Sequence, residues 1–213
     1  MNVLWISLSI IAAYLIGSIP TAVWYGQRFY DTDVRQHGSG NAGATNTFRV
    51  LGKRAGTVVL LIDILKGITA TMIAFALLRG HIIRPEDIIE YKLLLGIVAV
   101  VGHIFPIYTN FKGGKGVATL LGMTLSVQPW IALICMGIFV VVLILSKYVS
   151  LSSLVATLLF PVLLLLPPFR TGEPILIVFG FLMFVILVIT HKKNIGRLLR
   201  GDESRTYLFS KKD

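Results

Sequence analysis

Residues 38–56 read GSGNAGATNTFRVLGKRAG, a cluster of glycine, asparagine, threonine and arginine with the chemistry of a phosphate cradle. Gly38, Gly40 and Gly43 allow backbone N–H groups to converge on an anion. Ser39, Asn41, Thr45 and Asn46 add neutral hydrogen-bonding groups, and Arg49 can grip a phosphate in a bidentate fork. A structureless connection of this length is uncommon unless it is functional or disordered. The composition is wrong for a floppy linker, so the stretch is read as an anion-handling loop.

Two further polar islands stand at the ends of apolar runs. In FKGGKGVAT, from Phe111 to Thr119, the order resembles a nucleotide-binding loop. It is not one, because Thr109 stands where the first glycine belongs and Gly116 where a magnesium-ligating hydroxyl belongs. Gly113 and Gly114 are expected to open a helix N-terminus whose N–H groups and dipole favour phosphate, with Lys115 adding a point charge. In HKKNIGRLL, His191 and Asn194 lie three apart on one expected helix face, with Arg197 and Leu198 one turn later. A histidine here can orient or deprotonate a hydroxyl near neutral pH. The three islands are expected to form one shared site.

The elements that must position these groups belong to a membrane protein. With 55% hydrophobic and only 14% charged residues and a mean hydropathy of +0.83, the chain departs far from a soluble domain, in which about a quarter of residues are charged. Apolar runs cover about 3–25, 57–78, 93–108, 117–127, 130–145, 151–166 and 175–190. They are continuous and do not alternate, which disfavours a β-barrel and predicts an all-α fold of about seven transmembrane helices, taken as one catalytic domain over 1–213. The run at 117–127 is the shortest.

Cations set the expected orientation. With the N-terminus outside, the inner loops and the C-terminal tail, including Lys211 and Lys212, hold fifteen lysines and arginines, against Arg79, Arg84, Lys92 and Arg170 outside. This positive-inside bias predicts N-out and C-in and puts all three islands on the cytoplasmic face. The first run lacks a basic leader and is longer than a secretory core, so it is read as a retained helix. Asp63 and Lys66, one turn apart inside a span, must face protein or water; they and His103 are expected to support the site. Cys135 is alone, which excludes an internal disulfide and a thiol-based metal site. Scattered juxtamembrane cations without a soluble module argue against nucleic acid.

Several blocks in one order, GSGNAGATNTFRVLG, DILKG, GHIFPIYTNFKGGKGVAT, KYVSLSS and HKKNIGRLL, resemble the bacterial acyl-phosphate:glycerol-3-phosphate acyltransferases of phospholipid synthesis over nearly the whole chain. The resemblance implies seven transmembrane helices in the cell inner membrane, with cytoplasmic active-site loops. It implies transfer of a fatty acyl group from acyl phosphate to the first hydroxyl of glycerol 3-phosphate, releasing lysophosphatidic acid and phosphate. Ser39, Arg49, Lys115, His191 and Asn194 would carry the site. Ala42 departs from the proline or valine often found there.

The residues fit that chemistry. Ser39 and Arg49 would hold one phosphate, and Lys115 with Gly113 and Gly114 the other. Acyl phosphate is already activated, so direct transfer needs no acyl-enzyme and Ser39 acts as a ligand. Either His191 or the donor's own phosphate would take the hydroxyl proton. A histidine followed five positions later by aspartate is absent on the inner side, no metal or cofactor is called for, and a monomer is the expectation. A transporter of a phosphorylated metabolite is the alternative, since cationic loops also suit such a site. It lacks an evident inverted repeat. A magnesium-dependent phosphatidyltransferase would need more carboxylates.

Overall fold

The structure is a computed structural model that describes residues 2–206, and every regular element among them is helical. Lys211 and Lys212 lie outside the described residues. Each of the seven apolar runs coincides with a helix or a helix pair: α1 Asn2–Ser18 with α2 Thr21–Tyr30, α3 Ala44–Arg79, α4 Ile88–Ile104, α5 Val117–Val127, α6 Pro129–Ser146, α7 Val149–Leu165 and α8 Pro174–Thr190, followed by α9 Lys192–Arg200. Of these, α3, α6 and the Pro85–Thr109 stretch containing α4 are long and apolar enough to cross a membrane. The bent pairs α1/α2 and α8/α9, at 43° and 67°, raise the number to five, and α5 and α7 are shorter apolar helices. At 1.5 Å per residue α5 rises only about 16 Å, against a hydrocarbon core of about 30 Å.

Local chemistry accounts for two departures from the sequence expectation. The first run is broken because Pro20 has no N–H and pushes Ile19 away from helical geometry. The presumed loop over 38–56 is mostly helix, since α3 already begins at Ala44 with Gly43 as its N-cap. A kink follows at Gly52, whose φ of 85° and ψ of −177° suit a residue without Cβ. Beyond the kink, Gly56 leaves the space that the Phe48 ring occupies.

The chain forms two compact units, Met1–Gln128 and Pro129–Asp213. In the first, α3 packs on α4 and α5, and α1 on α4. Gly67 lies against the carbonyl of Thr119, and Gly122 against that of Ile64, so the α3 and α5 backbones touch. Gly17 and Gly102 do the same for α1 and α4. Close backbone approach at small residues is how helices associate without a water-driven hydrophobic force. The polarity pattern is inverted relative to a soluble protein: Leu8, Ile11, Leu61 and Leu65 face outward, while Asp63 and Lys66 are buried. In the second unit, α7 packs on α6 and α8, with Gly180 against Pro161 and Phe160 edge-on to Phe179 at 6.3 Å.

Filling the α3–α5 contact should therefore be costly. Gly122→Val is expected to destabilise by about 1–3 kcal/mol through overpacking, whereas Gly137→Val, at a glycine with nothing within 4 Å, should be close to neutral. Thermal unfolding in detergent checks the pair.

Candidate active site

In the first island the organising residue is Asn46, which is 1% exposed. Its Oδ1 accepts from the Ser39 N–H at 2.8 Å and the Ser39 hydroxyl at 3.1 Å. Its Nδ2 donates to the carbonyls of Val34 at 2.7 Å and His37 at 3.1 Å. Asn46 was expected among the phosphate ligands; its amide instead braces the loop. The brace needs Gly38, which has a φ of 61° and on which a Cβ would collide with Asn46 Oδ1. Ser39 and Gly40 are thereby held at the surface, with Asn41 and Thr45 half-buried. Gly43 offers no side-chain cap to the first turn of α3, where the Asn46 backbone N–H donates to the Gly43 carbonyl at 3.1 Å, so what that turn presents to an anion is the positive end of the helix dipole. Arg49 stands exposed on the same short helical segment.

The second island departs from expectation in a specific way. The Gly113 and Gly114 amides do not open a helix. They donate to Ile104 O at 3.2 Å and His103 O at 3.1 Å, capping the C-terminus of α4. Helix α5 starts only at Val117, behind Gly116 with a φ of 84°, and Lys115 precedes that start, half-buried. The Thr119 hydroxyl in its first turn is buried without a hydrogen-bond partner.

The two islands share a cleft of about 500 Å³ lined by Asp33, Arg35, Gln36 and Gly40 from one side and by Thr109, Asn110, Lys112 and Gly113 from the other. Arg49 is not among the residues that line it. Nothing in the sequence pattern singles out Arg35, Lys112 or Asp33. Asp33 both caps the Arg35 N–H at 3.0 Å and clasps its guanidinium at 2.6 Å. The side-chain hydrogen bond from Arg35 outweighs burial and holds the Asp33 carboxyl below its usual range.

Below the islands lies a buried polar cluster. Lys66 Nζ, with three donors and no acceptor, reaches three partners: Ile19 O at 2.7 Å, Asp63 Oδ1 at 2.8 Å and His103 Nδ1 at 3.3 Å. Thr21 Oγ1 donates to Asp63 Oδ1 at 2.9 Å. The Ile19 carbonyl, at the break beside Pro20, accepts from Lys66 and also from the Thr21 N–H at 2.9 Å.

In the second unit, His191 closes α8 and opens α9. Its Nδ1 lies 2.9 Å from Leu187 O. A carbonyl only accepts, so Nδ1 carries the proton, and Nε2 is the basic atom of the neutral ring. Asn194, three residues on and buried, donates to Glu203 Oε1 at 2.6 Å. Arg197 Nε donates to Glu203 Oε2 at 2.6 Å and Ser150 Oγ to Oε1 at 2.8 Å. Glu203 was missed in the sequence. Burial alone would raise its carboxyl, but the donors from Arg197, Asn194 and Ser150 hold it below the ordinary 4.5. The next residues lie against the turn that leads into α7, with Thr206 N donating to Lys147 O at 2.7 Å.

Two outcomes follow. Asn46→Ala should leave buried loop groups unmatched at a cost of about 1–3 kcal/mol, and amide hydrogen exchange over 34–43 should accelerate. The folded state binds the Glu203 proton less readily than the unfolded chain. Its contribution is therefore full above the ordinary glutamate range and lost as pH falls through the depressed value. Glu203→Gln should lower the unfolding midpoint at neutral pH, and the gap to the unaltered protein should narrow as pH falls below the ordinary glutamate range; a gap constant with pH would contradict this.

Comparison with known proteins identifies a family. Residues 7–201 match the family model described as glycerol-3-phosphate acyltransferase. A glycerol-3-phosphate acyltransferase of Enterococcus faecalis is 45% identical over 204 residues, covering 92% of this chain and 89% of that one. One from Salinibacter ruber is 40% identical over 210 residues, covering 94% and 92%. Among solved structures, the crystal structure of PlsY, an integral membrane glycerol 3-phosphate acyltransferase in its glycerol 3-phosphate form, superposes with a TM-score of 0.81 at 32% identity. It covers 96% of this chain and 99% of that one. The lysophosphatidic acid form gives 0.78 at 33%, covering 94% of each. The chain belongs to the glycerol-3-phosphate acyltransferase family of integral membrane proteins.

Proposed function

We propose that this protein transfers a fatty acyl group from acyl phosphate to the sn-1 hydroxyl of glycerol 3-phosphate, giving lysophosphatidic acid and inorganic phosphate. The observation that carries the reading is the pair of PlsY structures, one in its glycerol 3-phosphate form and one in its lysophosphatidic acid form, each matched over nearly the whole of this chain. They correspond to the acceptor before acylation and the product after it.

The proposed roles follow from charge and geometry. Both substrates carry phosphate, and their repulsion must be offset before they can meet. The first turn of α3 with Ser39, Gly40 and Arg49 would take one phosphate, and Lys115 at the start of α5 the other. Fixed donors of this kind need not reorganise during reaction. The Ser39 hydroxyl donates to the Asn46 amide oxygen, which is no general base. An unactivated serine suits a ligand and direct transfer better than an acyl-enzyme. His191, with Nε2 as its basic atom, would take the acceptor's hydroxyl proton in competition with the donor's leaving phosphate, and Asn194 would be kept in place by Glu203.

The same reading treats the chain as one monomeric catalytic domain in the cell inner membrane. It counts all seven apolar runs as spans, with the N-terminus outside and the active-site loops in the cytoplasm.

Purified protein given palmitoyl phosphate and glycerol 3-phosphate should release phosphate and lysophosphatidate in equal amounts. Arg49→Ala and Lys115→Ala should each slow turnover by about 10²–10³-fold. No product, together with counterflow of glycerol 3-phosphate in vesicles, would reject the enzyme in favour of a transporter. A Ser39→Cys protein trapped as an acyl thioester by mass spectrometry would overturn direct transfer. In a Cys135→Ala background, Lys115→Cys and Gln128→Cys should be labelled from opposite sides of sealed vesicles; labelling from one side would remove α5 from the count of spans.

A further inference from the structure

We infer that His103 is a positioning residue: held from below by the Asp63–Lys66 pair, its ring sets the spacing between the two phosphate-handling islands. The inference rests on the function proposed above and assigns His103 no contact with substrate.

The ammonium of Lys66 can only donate, so His103 Nδ1, 3.3 Å away, must accept, and the ring proton sits on Nε2. That orientation is fixed twice more. Lys66 is itself held by Ile19 O at 2.7 Å and Asp63 at 2.8 Å, and Asp63 by Thr21 at 2.9 Å. These groups reach His103 from the α1–α2 break and from α3, and His103 lies in the last turn of α4. The other edge of the ring faces the second island. A Cβ placed on Gly114 would run into His103 Nε2 and lie 3.0 Å from the carbonyl of Ala42. The missing side chain of Gly114 thus lets the imidazole and the Ala42 carbonyl of the first island close in around the same side of its backbone, immediately before Lys115.

Two hydrogen bonds hold this contact. The amides of Gly114 and Gly113 donate to the carbonyls of His103 and Ile104 at 3.1 and 3.2 Å, so both the backbone and the ring of His103 act on Gly114. His103 and Gly114 are both buried. A change in ring shape is therefore felt at Gly114 and at the Ala42 carbonyl, next to Lys115. Misplacement of a binding group by about an ångström costs substantial rate, and the first effect of moving Lys115 should be weaker capture of a phosphate.

The test uses the full-length protein in detergent with palmitoyl phosphate and glycerol 3-phosphate. His103→Asn keeps an acceptor near Nδ1 for Lys66 but removes the far edge of the ring. It should remain monodisperse and raise the KM for one phosphate substrate about tenfold while kcat changes less than threefold. Gly114→Ala should impair the same KM from the other side. The two changes should be non-additive, the double variant being less impaired than the product of the singles, because removing the ring makes room for the new methyl. An unchanged KM in folded His103→Asn, strict additivity, or failure of both variants to fold would overturn the inference and leave the cluster as scaffold only. Absence of turnover in the unaltered protein would instead reject the function on which it rests.

Discussion

The three-way grip of Lys66 on Ile19, Asp63 and His103 is the interaction on which the first unit depends. A lysine and an aspartate buried among apolar helices are expensive to desolvate, and such a pair is weak evidence of net stability in itself. What makes this one tolerable is saturation: every ammonium donor has a partner, and Asp63 Oδ1 accepts from both Thr21 and Lys66. The break at Pro20, the bend between α1 and α2, and the orientation of His103 are then parts of one arrangement.

Above that cluster, hydrogen-bonding groups are divided between building the site and serving it. Asn46 spends its amide on three loop residues, and Gly113 and Gly114 spend their N–H groups on the end of α4. Ser39, Gly40, the uncapped first turn of α3 and Arg49 are thereby held in place. In the second unit Glu203 plays the bracing part, gathering Ser150, Asn194 and Arg197 on one carboxylate. In the first unit an exposed hydroxyl is fixed by a buried amide, and in the second the buried Asn194 and the half-buried Arg197 share one carboxylate.

The apolar runs were legible because hydropathy depends only on composition along the chain, and each run became a helix or a helix pair. The helical start at Ala44 was not. Glycine, asparagine and threonine mark both loops and helix N-termini, and the apolar signal begins only after the kink at Gly52. Hydropathy likewise passes over Pro20, where apolar residues flank the break. His191, Asn194, Asp63 and Lys66 could be singled out by type and spacing, but the partner of Asn194 could not. Glu203 lies beyond the end of α9 in a stretch dominated by basic residues, and its significance appears only when α7 brings Ser150 beside it.

The strap from Glu203 to Thr206 along the beginning of α7 has a bearing on how the protein can be handled. A chain boundary set at the end of α9, where the helical pattern stops, would remove the carboxylate that holds Asn194 while leaving every apolar helix in place.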